Sequence, residues 1–195
     1  MKKETIQMKY LVASDIHGSA FYCKKMLEAY EREQADRLVL LGDILYHGPR
    51  NDLPLEYAPK TVISLLNEHK DKIIAVRGNC DAEVDQMVLD FPIMADYTVL
   101  QLVPGCMIYL THGHIYHENH LMPMQAGDIL LHGHTHVLRA EEKDGIVILN
   151  PGSISIPKEG NSPSYAVLSL NSEKDNKICF TIKTLDGEII KEYTV

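Results

Sequence analysis

No CxxC pair, no excess of basic charge, and no unbroken apolar run longer than the five residues from Cys106 to Leu110 occur in the 195-residue sequence. Each absence excludes a class. A membrane-spanning helix needs about 20 consecutive apolar residues, so none is expected. The four cysteines, Cys23, Cys80, Cys106 and Cys179, are widely spaced. That excludes a disulfide scaffold and fits free thiols in a reducing compartment. The opening MKKETIQM has no apolar stretch behind Lys2 and Lys3, so no secretory signal is read there and a cytoplasmic protein is expected. Lys and Arg number 19 against 27 Asp and Glu, a net charge of −8. A net acidic surface disfavours stable binding to nucleic acid or to anionic membranes. No repeat, low-complexity tract or linker divides the chain. Its length suits one domain, expected over residues 9–195 behind a frayed leader at 1–8.

The first half alternates strand and helix. Lys9–Ala13, Arg37–Leu41 and Ile73–Val76 read as buried strands. Between them, Ser19 to Gln34 and Pro59 to His69 carry apolar residues at helical spacing. Phe21, Met26, Leu27 and Tyr30 mark the first helix, with Ser19 as its N-cap. Continuous apolar strands separated by helices predict parallel pairing with both faces covered. The second half reads as short strands with few helical signals between them, the last ones joined by turns at Asn171–Asn176 and Asp186-Gly187, and antiparallel pairing is expected there. The expected fold class is α/β, a sandwich of two sheets flanked by helices.

What the sequence has in excess is histidine at strand ends. Seven of its ten histidines fall between His112 and His136. The first strand stops at Ser14-Asp15-Ile16-His17, the second at Gly42-Asp43 and the third at Arg77-Gly78-Asn79-Cys80-Asp81. Later strands stop at Thr111-His112-Gly113-His114 and at His132-Gly133-His134-Thr135-His136. Carboxyl ends of strands are where open α/β sheets bind ligands. Asp15 and His17 are two apart, as are His134 and His136, which in an extended segment points both side chains one way. With Asp43, Asn79 and His112 they make seven oxygen and nitrogen ligands. That is too many for one tetrahedral ion and suits two ions sharing a carboxylate. No thiolate is required, so Mn²⁺, Fe²⁺ or Zn²⁺ fits. Singly, each motif is an ordinary loop; in this order, each at a strand end, they read as one site.

The order DxH, GD, GN, H, GHxH resembles the calcineurin-like metallophosphoesterase superfamily, and the NPGS at Asn150–Ser153 resembles its usual continuation. The stretches GDILYHGPRN, RGNCDAEVDQM and NPGSISIPK are similar to YfcE-type bacterial phosphodiesterases. The resemblance implies a four-layer αββα sandwich and a site for two divalent ions, usually manganese, with zinc, iron or nickel as alternatives. By motif position Asp15, His17 and His136 hold one ion, Asn79, His112 and His134 the other, and Asp43 bridges. It implies hydrolysis of a small phosphodiester by attack of a metal-bridged hydroxide, and a homo-oligomer. Asp43 and Asn79 are then catalytic as well as ligating.

Many members of the superfamily have a catalytic His after GN, where this sequence has Cys80. Its thiol is either activated by the cations or simply packed. Asp81 either hydrogen-bonds a neighbouring ligand or caps a helix starting near Glu83. With Cys80 and His114 it is also a candidate for a catalytic role, the general acid among these. His114 is a candidate to face substrate, His132 to pack beneath the site, and Arg50 to contact phosphate. His47 and His69 read as surface residues. Three other readings share the superfamily: a phosphomonoesterase; a nuclease, for which a short acidic chain offers no basic surface; and a non-catalytic scaffold like retromer's small subunit, where ligand positions are altered.

Overall fold

A computed structural model of the chain describes residues 8–171 and 177–195. The first half runs β1 (Lys9–Ala13), α1 (Ala20–Glu33), β2 (Arg37–Leu40), α2 (Pro59–Asn67), β3 (Ile73–Ala75) and α3 (Glu83–Gln86). Eight strands follow: β4 (Tyr97–Val103), β5 (Cys106–Thr111), β6 (Ile129–Leu131), β7 (Leu138–Lys143), β8 (Ile146–Pro151), β9 (Ser164–Asn171), β10 (Lys177–Thr184) and β11 (Ile189–Thr194). The expected leader, up to residue 7, and nearly all of the expected turn at 171–176 lie outside the described residues. Met8 packs against the core.

The strands form two mixed sheets, ordered β11-β10-β9-β1-β2-β3 and β4-β5-β6-β8-β7. Side-chain alternation explains why they stack. Leu11, Ala13, Leu38, Leu40, Tyr165 and Val167 enter a core shared with α1 and α2. Their neighbours Tyr10, Val12, Val39, Leu41, Ala166 and Leu168 enter a second core, between the sheets. Ile108, Leu110, Ile129, Leu131, Val147 and Leu149 meet them there from the second sheet. Both faces of the central strands are therefore apolar, which is why they read as unbroken hydrophobic runs. On α1, Cys23 takes the buried place expected of Phe21, which is half-exposed. Ser19 caps the helix: its Oγ accepts from Tyr22 N at 3.2 Å and donates to Leu55 O at 2.6 Å.

Two features of the second half differ from expectation. β5, β6 and β8 pair in parallel, not antiparallel. One crossover is the loop 112–128 and the other contains β7, so neither shows the helical period that marks parallel pairing in a sequence. The layer over the outer face of the second sheet is also built by that loop, with Met122 packed on Leu130, Ile146 and Ile148. Among the described residues no helix follows α3.

The three parallel strands of the first sheet end at one edge with residues 14–17, 42–43 and 76–79. The parallel strands of the second end with 112–114, 132–136 and 151–153.

Candidate metal centre

The segments leaving these strands do not continue extended. Asp15, His17, Asp43, His134 and His136 all sit in the left-handed region, at φ of 60°, 50°, 56°, 66° and 61°. That conformation costs an L-residue roughly 1–2 kcal/mol, although Asp and His tolerate it better than most. So the expected reason for convergence is corrected. Asp15/His17 and His134/His136 converge because strained turns aim them, not because an extended strand does. Such strain persists only where the surroundings over-determine it. Here Asp15 N donates to Gly42 O and His17 N to Asp43 O, joining two of the loops. Ser153 and Ser155 hydroxyls both donate to Asp15 O, at 3.0 and 2.8 Å. Asn150 Nδ2 donates to Gly133 O at 2.8 Å. The NPGS segment thus ties down the first and last motifs. Close approach explains two glycines: a Cβ on Gly78 would overlap Asp43 Oδ1 and N, and one on Gly133 would overlap Ser14 Oγ.

The side chains gather in two knots. In one, Asp15 Oδ1 is 3.2 Å from His136 Nε2 and 3.6 Å from His17 Nε2. His17 Nε2 is 3.4 Å from His136 Nε2 and 3.7 Å from Asp43 Oδ2. In the other, Asp43 Oδ2 is 3.4 Å from His112 Nε2, which is 3.0 Å from Asn79 Oδ1 and 3.2 Å from His134 Nδ1. Ligand atoms about 2.0–2.2 Å from one ion stand roughly 3.0–3.6 Å from each other. Both knots lie within about 0.1 Å of that spacing, and Asp43 Oδ2 belongs to both.

Hydrogen bonding shows that the knots suit cations. His17 Nδ1 donates to Tyr46 O, His112 Nδ1 to Leu41 O and His136 Nδ1 to Ile156 O, at 2.7, 2.6 and 2.7 Å. A carbonyl only accepts, so each neutral ring turns the lone pair of Nε2 toward the site. Asp15 Oδ1 is fully buried there with no hydrogen bond among the described residues, while its Oδ2 accepts from His134 N. Lone pairs facing lone pairs in a buried space require positive charge between them. An all-oxygen, all-nitrogen donor set fits divalent ions of the Mn, Fe and Zn type.

In the metal-free site protons take that role. Burial works to lower the pKa of His112, but the Asp43 and Asp15 carboxylates outweigh it and raise it to about 9. His17 is raised for the same reasons. Burial, and then His112, push His134 down to about 4. His112 therefore stabilises the metal-free fold fully below about 6.5, and that contribution is lost as pH rises through about 9. Metal binding near neutral pH is expected to expel this proton, so affinity rises with pH across that window. Calorimetry in buffers of unlike ionisation enthalpy checks this; heats independent of buffer would contradict it.

The remaining candidates separate. Asp81 is buried and turned away from the knots. Its Oδ2 accepts from Asp43 N and Gly78 N at 2.8 and 2.7 Å, and its Oδ1 from Ile44 N at 2.8 Å. Of its two expected roles it takes the first, through the backbone N–H of the candidate ligand Asp43, and does not cap α3, whose N-cap is Ala82; it fastens the GD loop to the GN loop. Cys80 N donates to Asp43 Oδ1 at 2.8 Å, leaving Oδ2 for the knots. Burial, reinforced by Asp43, pushes the Cys80 thiol up, so in the metal-free site it is a neutral thiol. His132 is buried against Gly133 and Asn150. His114 packs edge-on to His112 and tilted against His134. His47 is not a plain surface residue: it packs edge-on between Tyr46 and Tyr57.

A cleft of about 480 Å³ opens over the knots, and Arg50 lines it together with Asn51, Thr135 and Lys158. Lys158 was not expected there. Its signal lay in the sequence, because it ends the NPGSISIPK stretch whose serines hold Asp15.

Residues 8–173 match the family model of the calcineurin-like phosphoesterase superfamily domain. The chain is 46% identical over 188 residues to the phosphodiesterase YfcE of Escherichia coli K12, covering 96% of this chain and 98% of that protein. The solved structure of E. coli YfcE, described as a phosphoesterase, superposes with a TM-score of 0.87 at 44% identity, over 95% of this chain and 98% of that one. Vacuolar protein sorting 29 from Cryptosporidium parvum superposes with a TM-score of 0.62 at 20% identity over 98% of both chains, a likeness of fold alone. With the family model spanning both knots and every strand that carries them, the chain belongs to the calcineurin-like phosphoesterase superfamily.

Proposed function

We propose that this chain is a two-ion phosphodiesterase that hydrolyses a small phosphodiester, with manganese as its working metal. The observation that carries the reading is Asp43 Oδ2, which stands 3.7 and 3.4 Å from the donors of two separate knots. Likeness to a protein named a phosphodiesterase supports the diester. When bound, two divalent ions supply the charge that makes a shared water acidic near neutral pH and that neutralises the phosphoryl oxygens.

The chain's own residues do the rest. Asp15, His17 and His136 with Asp43 are suited to one ion, and Asn79, His112 and His134 with Asp43 to the other. The carbonyls of Tyr46, Leu41 and Ile156 hold the imidazole protons away from the metal side. Among the candidates weighed as acid, none is ready to protonate the leaving alcohol. Cys80 is a neutral thiol of raised pKa, Asp81 faces its loops, and burial lowers the pKa of His114. That favours a diester. The test compares a diester and a monoester with the same aryl leaving group on the Mn²⁺-loaded protein. The diester is expected to react at least about tenfold faster. Comparable turnover overturns the diester reading.

Two smaller predictions belong to the cleft wall. Cys80→Ser is expected to keep kcat within about threefold, since the position works through its backbone N–H. A loss beyond about a hundredfold would put the thiol in the chemistry. Arg50 and Lys158 have no ion pair among the described residues and line the cleft of a protein of net charge −8. Replacing both by alanine is expected to raise KM about three- to tenfold with kcat little changed, and to weaken the salt dependence of kcat/KM. An unchanged KM would make them solvated rim residues.

Seven ligand-type residues brought together give the scaffold reading no support. Four free cysteines support a cytoplasmic enzyme. No helix among the described residues is long and apolar enough to cross a membrane. Assembly into a homo-oligomer, which the family resemblance implies, is read out by sedimentation.

A further inference from the structure

We infer that the diester carries a second anionic group, a phosphate on one of its two alcohol arms, and that Arg50 and Lys158 are the residues that select it. The inference rests on the phosphodiesterase reading above and names the class of its substrate.

Both cations are unspent. The sequence has five arginines. Arg32 donates to Tyr165 Oη and Leu185 O, Arg37 to Asp71 O and Arg77 to Asp81 O, while Arg139 pairs with Glu118 and Glu141. Arg50 alone makes no hydrogen bond or ion pair through its side chain among the described residues, and it lines the cleft over the knots. Lys158, which lines the same cleft, has no ion pair among them either. Asp43 is the one acid in that lining, and its two oxygens are given to Cys80 N and to the knots. In a chain of net charge −8, a wall with two free cations and no free carboxylate is a local excess of positive charge, and it draws anions.

Both cations are also placed. His17 Nδ1 donates to Tyr46 O at 2.7 Å, and Asn51 Nδ2 donates to His47 O at 2.8 Å, closing the turn that carries Arg50. Lys158 N donates to His136 O at 3.1 Å, and Asn161 Nδ2 donates to Lys158 O at 2.8 Å. The two segments are thus anchored to the two histidines of one knot. The cleft of about 480 Å³ is within the range that holds a small ligand.

The metal centre does not call for these cations. Two divalent ions outweigh the carboxylates of Asp15 and Asp43 by two charges, and the attacking hydroxide and the single charge of a diester balance those two. What Arg50 and Lys158 can neutralise is therefore extra to the phosphate being cleaved. A phosphate monoester carries about 1.5 to 2 negative charges near neutral pH, which matches two cations. Its oxygens also accept the paired N–H groups of a guanidinium. A carboxylate would leave one cation unmet.

The test uses diesters that share a p-nitrophenyl leaving group and differ in the second arm: phosphopropyl, carboxypropyl, propyl and trimethylammonium-ethyl. With Mn²⁺-loaded protein, kcat/KM for the phosphopropyl ester is expected to exceed that for the propyl ester by about tenfold or more. The carboxypropyl ester should fall between them, the ammonium ester should be no better than the propyl, and added salt should narrow the gap. Replacing Arg50 and Lys158 together by alanine, at exposed positions where folding is not at stake, is expected to bring the ratio to about two. Arg50→Lys, which keeps the charge but not the fork, should keep part of it. Calorimetry reads binding apart from turnover: propanediol bisphosphate is expected to bind the double variant about tenfold more weakly than the wild type. A wild-type ratio near one, a carboxypropyl ester that reacts fastest, or bisphosphate binding that the double variant leaves unchanged overturns the inference while the phosphodiesterase reading stands. Equal losses for the phosphopropyl and propyl esters in the double variant overturn it too, because they put the cations on the phosphate being cleaved. No turnover of any ester overturns the phosphodiesterase reading and this inference with it.

Discussion

Asp43→Asn is expected to lower kcat/KM for a phosphodiester by about a thousandfold or more and to cut metal uptake to one ion per chain or fewer. The reason lies in how the two carboxylate oxygens are used. Oδ1 accepts the Cys80 N–H, and Oδ2 is common to both knots. An asparagine can serve one of these with its carbonyl. The other then meets an amide NH₂, which opposes either a backbone donor or a cation. One negative charge is also lost from a buried site that would hold two dications. The metal-free variant has its own signature. His112 loses the partner that most strongly raises its pKa to about 9, so its titration, followed by NMR, is expected to fall toward the usual imidazole range. Full activity with a normal complement of metal would contradict the bridging role.

Asp81→Ala is expected to be the most damaging change to stability near the site. Three buried backbone N–H groups, of Gly78, Asp43 and Ile44, would lose their acceptor together. Each unmatched donor costs about 1–3 kcal/mol, so a loss of about 3 kcal/mol or more is expected. For a chain of this size that is a fall in Tm of about 6–12 °C. Metal affinity should fall too, because these bonds fasten the Asp43 loop to the Asn79 loop. Asp81→Asn distinguishes hydrogen bonding from charge. A carbonyl oxygen in the Oδ2 position keeps two of the three bonds, so its Tm should lie between those of the wild type and the alanine variant. A Tm unchanged in Asp81→Ala would show that the loops hold without it.

The parts of the fold that were legible are those whose burial is two-sided and whose connections are helical. β1, β2 and β3 read as apolar runs because alternate residues enter two different cores. Ser19 announced α1 because a hydroxyl in that place satisfies a free N–H. The parallel pairing of β5, β6 and β8 left no such trace, since a loop and a hairpin strand carry the crossovers. The candidate ligand residues were picked out by their order at strand ends, but the geometry that gathers them was not legible. Left-handed backbone at Asp15, His17, Asp43, His134 and His136 is imposed by tertiary hydrogen bonds from Ser153, Ser155 and the neighbouring loops, which no local pattern shows. Asp81 looked like a chemical group because it follows Asn79 and Cys80; only the third dimension shows it accepting from the chain behind Asp43. Lys158 is an exposed lysine, and its one sequence signal is its place at the end of the NPGSISIPK stretch.

The most direct test of the central claim, two ions sharing Asp43, is a titration of metal-stripped protein with Mn²⁺. Bound metal, hydrolysis of a bis-aryl phosphate and the electron paramagnetic resonance spectrum are followed together. Two ions per chain, activity that rises with the second, and a spectrum of two coupled Mn²⁺ ions are predicted. Full activity at one bound ion, with the spectrum of an isolated Mn²⁺, would contradict it.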